Sequence, residues 1–157
     1  MIGVRIDPHT RTVAQFETDL TGLRAIRAAI GDVTVTRVGL GQGVDLWLDD
    51  EGLLGDQSQQ RYWTFIPQGG TPVPYAGRGV VLGLDGWGET VDAPPYVTPA
   101  ILAAAIMWLG DEIDLEIAIR AGHVIRPERA VTGIMADGRQ TRVVEWSWSS
   151  AAWRNEA

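Results

Sequence analysis

The chain has 157 residues, 45% of them hydrophobic and 21% charged, and a net charge of −7. That length suits one domain able to bury a core without staples, and the composition excludes disorder as the main state. Cysteine is absent, which excludes disulfides, thiolate zinc sites and cysteine nucleophiles and fits a reducing compartment.

Val4 and Ile6 alternate with Arg5 and Asp7, Pro8-His9-Thr10 supplies turn chemistry, and Val13, Ala14 and Phe16 resume an extended pattern. Residues 2–17 therefore read as a β-hairpin. Asp19 or Thr21 caps a helix over Leu20 to Ile30, with Leu23, Ile26 and Ile30 on one face and Gly31 just past its end. Residues 33–38 alternate strictly and are β-branched, so they read as a strand. Gly39, Gly41 and Gly43 punctuate a loop before a second strand at Val44 to Leu48. An irregular segment rich in Gly, Gln and Pro runs from Leu53 to Gly77, and loops of that length are often functional. Inside it, Arg61-Tyr62-Trp63-Thr64-Phe65 is a candidate short strand. Gly79 to Leu84 has the composition of a buried strand, Asp85 to Glu89 makes a turn, and Thr90 to Asp92 returns briefly.

Thr98 as N-cap and Pro99 at the first helical position open a second helix that runs to Leu109 and closes at Gly110. It is apolar almost all round, which suits burial in the core or a homo-oligomer contact. Ile113, Leu115, Ile117 and Ile119 alternate with Asp114, Glu116, Ala118 and Arg120, so this stretch reads as extended, a helix being the main alternative. Residues 131–136 and 141–148 flank Asp137-Gly138, a hairpin signal. The expected fold is α+β: one domain over residues 1–157, a mostly antiparallel sheet with two main helices at about 19–30 and 98–109, and a β-rich part over 110–157.

Signatures of catalysis are missing. A hydrolase triad needs a histidine base, and only His9, in a turn, and His123, in Ala121-Gly122-His123, are present. A small hydrolase using His123 with Glu128 is the weakest of the functional alternatives. Two distant histidines make no zinc motif, and Asp45, Asp49, Asp50, Glu51 and Asp56 do not have EF-hand spacing. Gly39-Leu40-Gly41-Gln42-Gly43 is followed by a strand rather than by Gly-Lys-Ser/Thr and a helix, so it is no phosphate loop. No enzyme activity, cofactor or metal is expected. The acidic balance argues against general nucleic-acid binding, although every basic residue except histidine is arginine, which suits a local anion pocket. No basic-then-apolar leader opens the chain, and Pro99 to Leu109 is shorter than the roughly 20 residues that span a bilayer. The expectation is a cytoplasmic protein without membrane contact.

Seven tryptophans are present, and two stand apart: Trp87 between glycines in a turn, and Trp63 beside Arg61 in the long irregular segment. Indole and guanidinium suit base and phosphate. Arg61, Trp63, Arg78, Trp87, His123 and Arg126 are the candidate ligand-binding residues.

The run Asp19-Leu20-Thr21-Gly22-Leu23-Arg24-Ala25-Ile26 leading into Val33-Thr34-Val35, and the later Tyr75-Ala76-Gly77-Arg78-Gly79-Val80-Val81-Leu82-Gly83 followed by Trp87-Gly88-Glu89-Thr90-Val91, resemble the domain of unknown function 3846 family over about residues 1–109. That family usually places an asparagine–arginine pair after its mid-chain strands, where this chain has Asp56-Gln57-Ser58-Gln59-Gln60-Arg61. The resemblance implies a phage or mobile-element accessory protein, in the host cytoplasm if phage-encoded, and names no catalytic residue. The expected function is binding: anti-defence sequestration of a small anionic or nucleotide-derived signal, or, as an alternative, inhibition of a host protein through an acidic surface formed by Asp45, Asp49, Asp50 and Glu51 with Asp111, Glu112, Asp114 and Glu116.

Overall fold

The computed structural model describes residues 1–31, 33–50, 52, 57–67 and 69–126, and the backbone pairing of two strands at 131–134 and 140–143. The elements are, in order, β1 (Ile2–Asp7), β2 (Thr12–Glu17), α1 (Gly22–Ile30), β3 (Val35–Gly41), β4 (Val44–Asp49), β5 (Tyr62–Phe65), β6 (Tyr75–Ala76), β7 (Gly79–Leu84), β8 (Thr90–Val91), α2 (Pro99–Ala105), β9 (Ile106–Gly110), α3 (Glu112–Arg120), β10 (Val131–Ile134) and β11 (Gln140–Val143). The fold is α+β, and every strand pair among the described residues is antiparallel.

The main sheet has the order β2-β1-β7-β4-β3, with β8 added beside β7. Its two faces follow from alternation. Val4, Ile6, Leu46, Leu48, Val81, Val38 and Leu40 point one way, onto Trp63, Phe65 and Tyr75 of the small sheet β6-β5-β9 and onto Leu102 and Ala105 of α2. The opposite face carries Val80 and Leu82, covered by Ile26, Ala29 and Ile30 of α1 with Phe16, Val35 and Trp47 around them. Leu23 is exposed rather than on that buried face. On its far side the small sheet is closed by α3, through Leu115 with Tyr62, Ala76 and Leu109.

Two turns explain how the hairpins close. Arg11 (φ 54°) ends the β1–β2 connection, and Gln42 (φ 55°) with Gly43 (φ 71°) form a two-residue β3–β4 turn, the left-handed pair that matches strand twist. The glycine-punctuated stretch is therefore a hairpin: β3 runs through to Gly41.

Two stretches differ from the sequence expectation. The second helix stops at Ala105, and Ile106–Gly110 is a strand paired with β5. Apolar residues on all sides satisfy a buried strand as well as a buried helix, and the open backbone of β5 decides between them. Residues 112–120 are a helix, the alternative reading. Asp111 accepts from the N–H groups of Ile113 and Asp114, while the Asp114 carboxylate accepts from the Asp111 N–H, a reciprocal capping box. The strands at 131–134 and 140–143 do pair as a hairpin; the Asp137-Gly138 turn and Glu128 lie outside the described residues. Among the described residues, no helix is long and apolar enough to cross a membrane.

Candidate functional site

The face of the main sheet that carries α1 is apolar beneath the helix and polar at one end. There the register aligns Arg5 and Asp7 of β1 with Ala14 and Thr12 of β2. Arg78, just before β7, arrives beside them. Asp7 organises this corner. It is 5% exposed, accepts from the His9 N–H at 2.9 Å, and receives Arg78 Nε at 3.1 Å and Arg5 Nη2 at 3.3 Å. Burial pushes the Asp7 carboxyl up, but the His9 amide and the two guanidinium groups outweigh it, and the net shift is below the usual carboxylate value. Asp7 therefore stays ionised, and two cations share one buried anion.

Two clefts meet at this ion cluster. One, of about 300 Å³, runs along the β1–β2 hairpin and is lined by Arg5, Asp7, Thr10, Thr12, Ala14 and Phe16, with Gln15 at its edge. The other, of about 260 Å³, lies between His9, Ile30, Asp49, Gln60, Gly77 and Arg78. The first is graded: guanidinium and hydroxyl groups at one end, a methyl and a phenyl ring at the other. Arg5 Nε in its wall is buried and donates no hydrogen bond. Such an orphan donor costs about 1–3 kcal/mol.

The corner is held firmly. Gly77 takes φ +76°, places its carbonyl to accept from Trp63 Nε1 at 2.9 Å, and has Gln60 Oε1 within 3.4 Å of where a Cβ would stand. Gln60 in turn donates to the Gly52 carbonyl at 3.0 Å. The segment leading to Arg78 is thereby tied to the core.

The six residues expected to share a ligand do not converge. Arg78 is at the corner just described. Trp63 is core: it is 0% exposed and stacks at 5.0 and 5.3 Å from Tyr75 and Phe65. It supports the corner through Gly77 and touches no ligand space. Arg61 is half-buried and donates to the Gln60 carbonyl at 2.9 Å. Trp87 stands 92% exposed on the β7–β8 turn, at the end of β7 away from Arg78. His123 is exposed after α3, and Arg126 pairs there with Glu116 at 2.8 Å. Of the residues expected to form an acidic surface, Asp45 is 4% exposed, Asp111 and Asp114 also cap α3 while Asp114 stays exposed, and Glu51 lies outside the described residues.

Arg5, Asp7, Thr10 and Thr12 escaped the sequence reading. Their signal was present: two opposite charges two residues apart in a strand whose other face is Val4 and Ile6 must share the polar face. What the sequence lacks is the partner, since Arg78 lies 71 positions away. Among the described residues, no group of three or more His, Asp or Glu side chains is placed to hold a metal ion.

A family model described as Domain of unknown function (DUF3846) matches residues 1–103, which takes in every residue lining the two clefts. No curated protein matches the chain, and no solved structure does.

Proposed function

We propose a binding role for this protein, which belongs to the DUF3846 family: it holds a small phosphorylated ligand of mononucleotide size in the cleft along the β1–β2 hairpin. The observation that carries this reading is the Arg5–Asp7–Arg78 cluster at the junction of two clefts. Two guanidinium groups converge there on one buried carboxylate, in a chain of net charge −7. The Arg5 and Arg78 side chains remain 36% and 43% exposed, so their guanidinium groups can still donate to an arriving anionic oxygen. Thr10 and Thr12 hydroxyls add neutral donors, and Phe16 with Ala14 offers a flat apolar seat for a ring. A volume of about 300 Å³ sits at the lower end of small-molecule sites, which favours one nucleotide over a longer ligand. In a cell the effect of such binding is sequestration, and the role we assign is that of a mobile-element accessory protein removing a nucleotide-derived signal from host defence.

A thermal-shift screen with inorganic phosphate, adenosine monophosphate, cyclic nucleotides and ADP-ribose tests this. A ligand at a hundred times its Kd stabilises by about 2.7 kcal/mol. The expected result is stabilisation by at least one nucleotide, lost in Arg78→Gln measured against that variant's own ligand-free melt. No stabilisation by any of these compounds contradicts the proposal.

A further inference from the structure

Trp87 is 92% exposed, the most exposed of the large hydrophobic side chains among the described residues. Its exposure is not that of a loose loop. Asp85 Oδ1 accepts from the N–H groups of both Trp87, at 2.9 Å, and Glu89, at 2.8 Å. The Asp85 N–H donates to the Glu89 carbonyl at 3.0 Å, the Gly88 N–H donates to the Asp85 carbonyl at 3.2 Å, and Gly88 takes φ +83°. The turn is fixed by four hydrogen bonds, and it holds the indole outward at little entropic cost to a partner.

The surroundings are acidic. Asp85 and Glu89 flank the ring in sequence, Asp92 beyond them accepts from the Ile2 N–H and faces the Met1 ammonium, and residues 79–119 contain no arginine, lysine or histidine. The neighbouring β3–β4 turn is uncharged at Gln42 and Gly43; it meets this one where the Leu84 N–H donates to the Gly43 carbonyl, and Tyr96, also exposed, donates to the Gln42 carbonyl at 3.2 Å. An indole face attracts cations through its quadrupole, and carboxylates beside it add charge-assisted hydrogen bonds to a guanidinium.

We infer that the β7–β8 turn is a docking point for a protein partner that presents an arginine or lysine side chain to Trp87, with Glu89 and Asp85 as its counter-charges. This surface lies at the opposite end of β7 from Arg78, so it is separate from the nucleotide cleft and independent of it.

An octa-arginine peptide is the probe, titrated into the full chain while the seven indole N–H signals are followed by NMR; Trp87→Phe assigns its own. The expected result is a shift at the Trp87 indole that weakens as salt rises, an affinity reduced roughly tenfold in Trp87→Ala, and a smaller loss in Glu89→Gln. The side chain is exposed and the turn is held by Asp85, so these variants keep the fold. Binding of equal strength in Trp87→Ala, movement of other indoles with Trp87 unmoved, or no binding overturns the inference.

Discussion

Asp7 and Asp45 are two buried carboxylates on the same sheet face, and their circumstances are opposite. Asp7 is satisfied by two guanidinium groups and an amide. Asp45 Oδ2 accepts no hydrogen bond, and its nearest cation, Arg37 Nη1, is 3.8 Å away. Burial pushes the Asp45 carboxyl up and Arg37 recovers only part of the shift. Asp7→Asn is expected to cost about 2 kcal/mol at neutral pH in urea melts, less than a fully buried pair because both arginines reach solvent. The folded-state pKa of Asp7 lies below its unfolded value, so its stabilisation is complete above about pH 4–5 and is lost as pH falls toward the folded value. The deficit of Asp7→Asn should therefore shrink on acidification. Asp45 has the reverse sign: its folded-state pKa is raised, so its charge penalises the fold at neutral pH and the penalty fades as pH falls through that value. Asp45→Asn is expected to stabilise by about 1 kcal/mol at pH 7, with the gain vanishing in acid. A loss of stability at neutral pH contradicts that assignment.

At the scale of elements, tight backbone approaches set the sheet. A Cβ on Gly83 would overlap the Asp92 carbonyl oxygen, and one on Gly3 would stand 2.7 Å from the Val81 carbonyl. Gly83→Ala is expected to cost about 2–3 kcal/mol and to detach β8 from β7, seen as faster hydrogen exchange at Asp85 and Glu89. Asp111→Ala removes the acceptor of two N–H groups at the start of α3 and should lower the urea midpoint while leaving the far-UV signature of the other helices intact. The hairpin over residues 2–17, the first helix and the β7 strand were legible because their signals are local: alternation, a glycine stop, a turn. The break after Ala105 was not, because the apolar run Ile106–Leu109 carries no period and its strand state depends on β5, whose Phe65 pairs with Ile106 from far earlier in the chain. The third helix was half legible. Its isoleucines alternate as in a strand, but Asp111 and Asp114 stand at capping-box spacing, and that signal outranks alternation.

Across the whole molecule, the two ends of β7 carry different charge. Arg5 and Arg78 gather with Asp7 and Asp49 at its start, where the β1–β2 connection meets it, whereas Asp85, Glu89 and Asp92 lie at its other end without an arginine in residues 79–119. Composition alone showed a net charge of −7 and pointed away from general nucleic-acid binding, while the all-arginine basic set left a local anion pocket open. The cluster that brings two guanidinium groups together is made by folding, from residues 71 positions apart, and only the arginine of that pair stood out in the sequence. The most direct test of a ligand seated there is a two-dimensional amide NMR titration of the full chain with adenosine monophosphate. Binding in the hairpin cleft requires shifts concentrated at Arg5, Asp7, Thr10, Thr12, Ala14 and Phe16 and at Arg78, with the Trp87 turn and α3 unmoved. A silent spectrum at millimolar ligand, or shifts centred elsewhere, contradicts it.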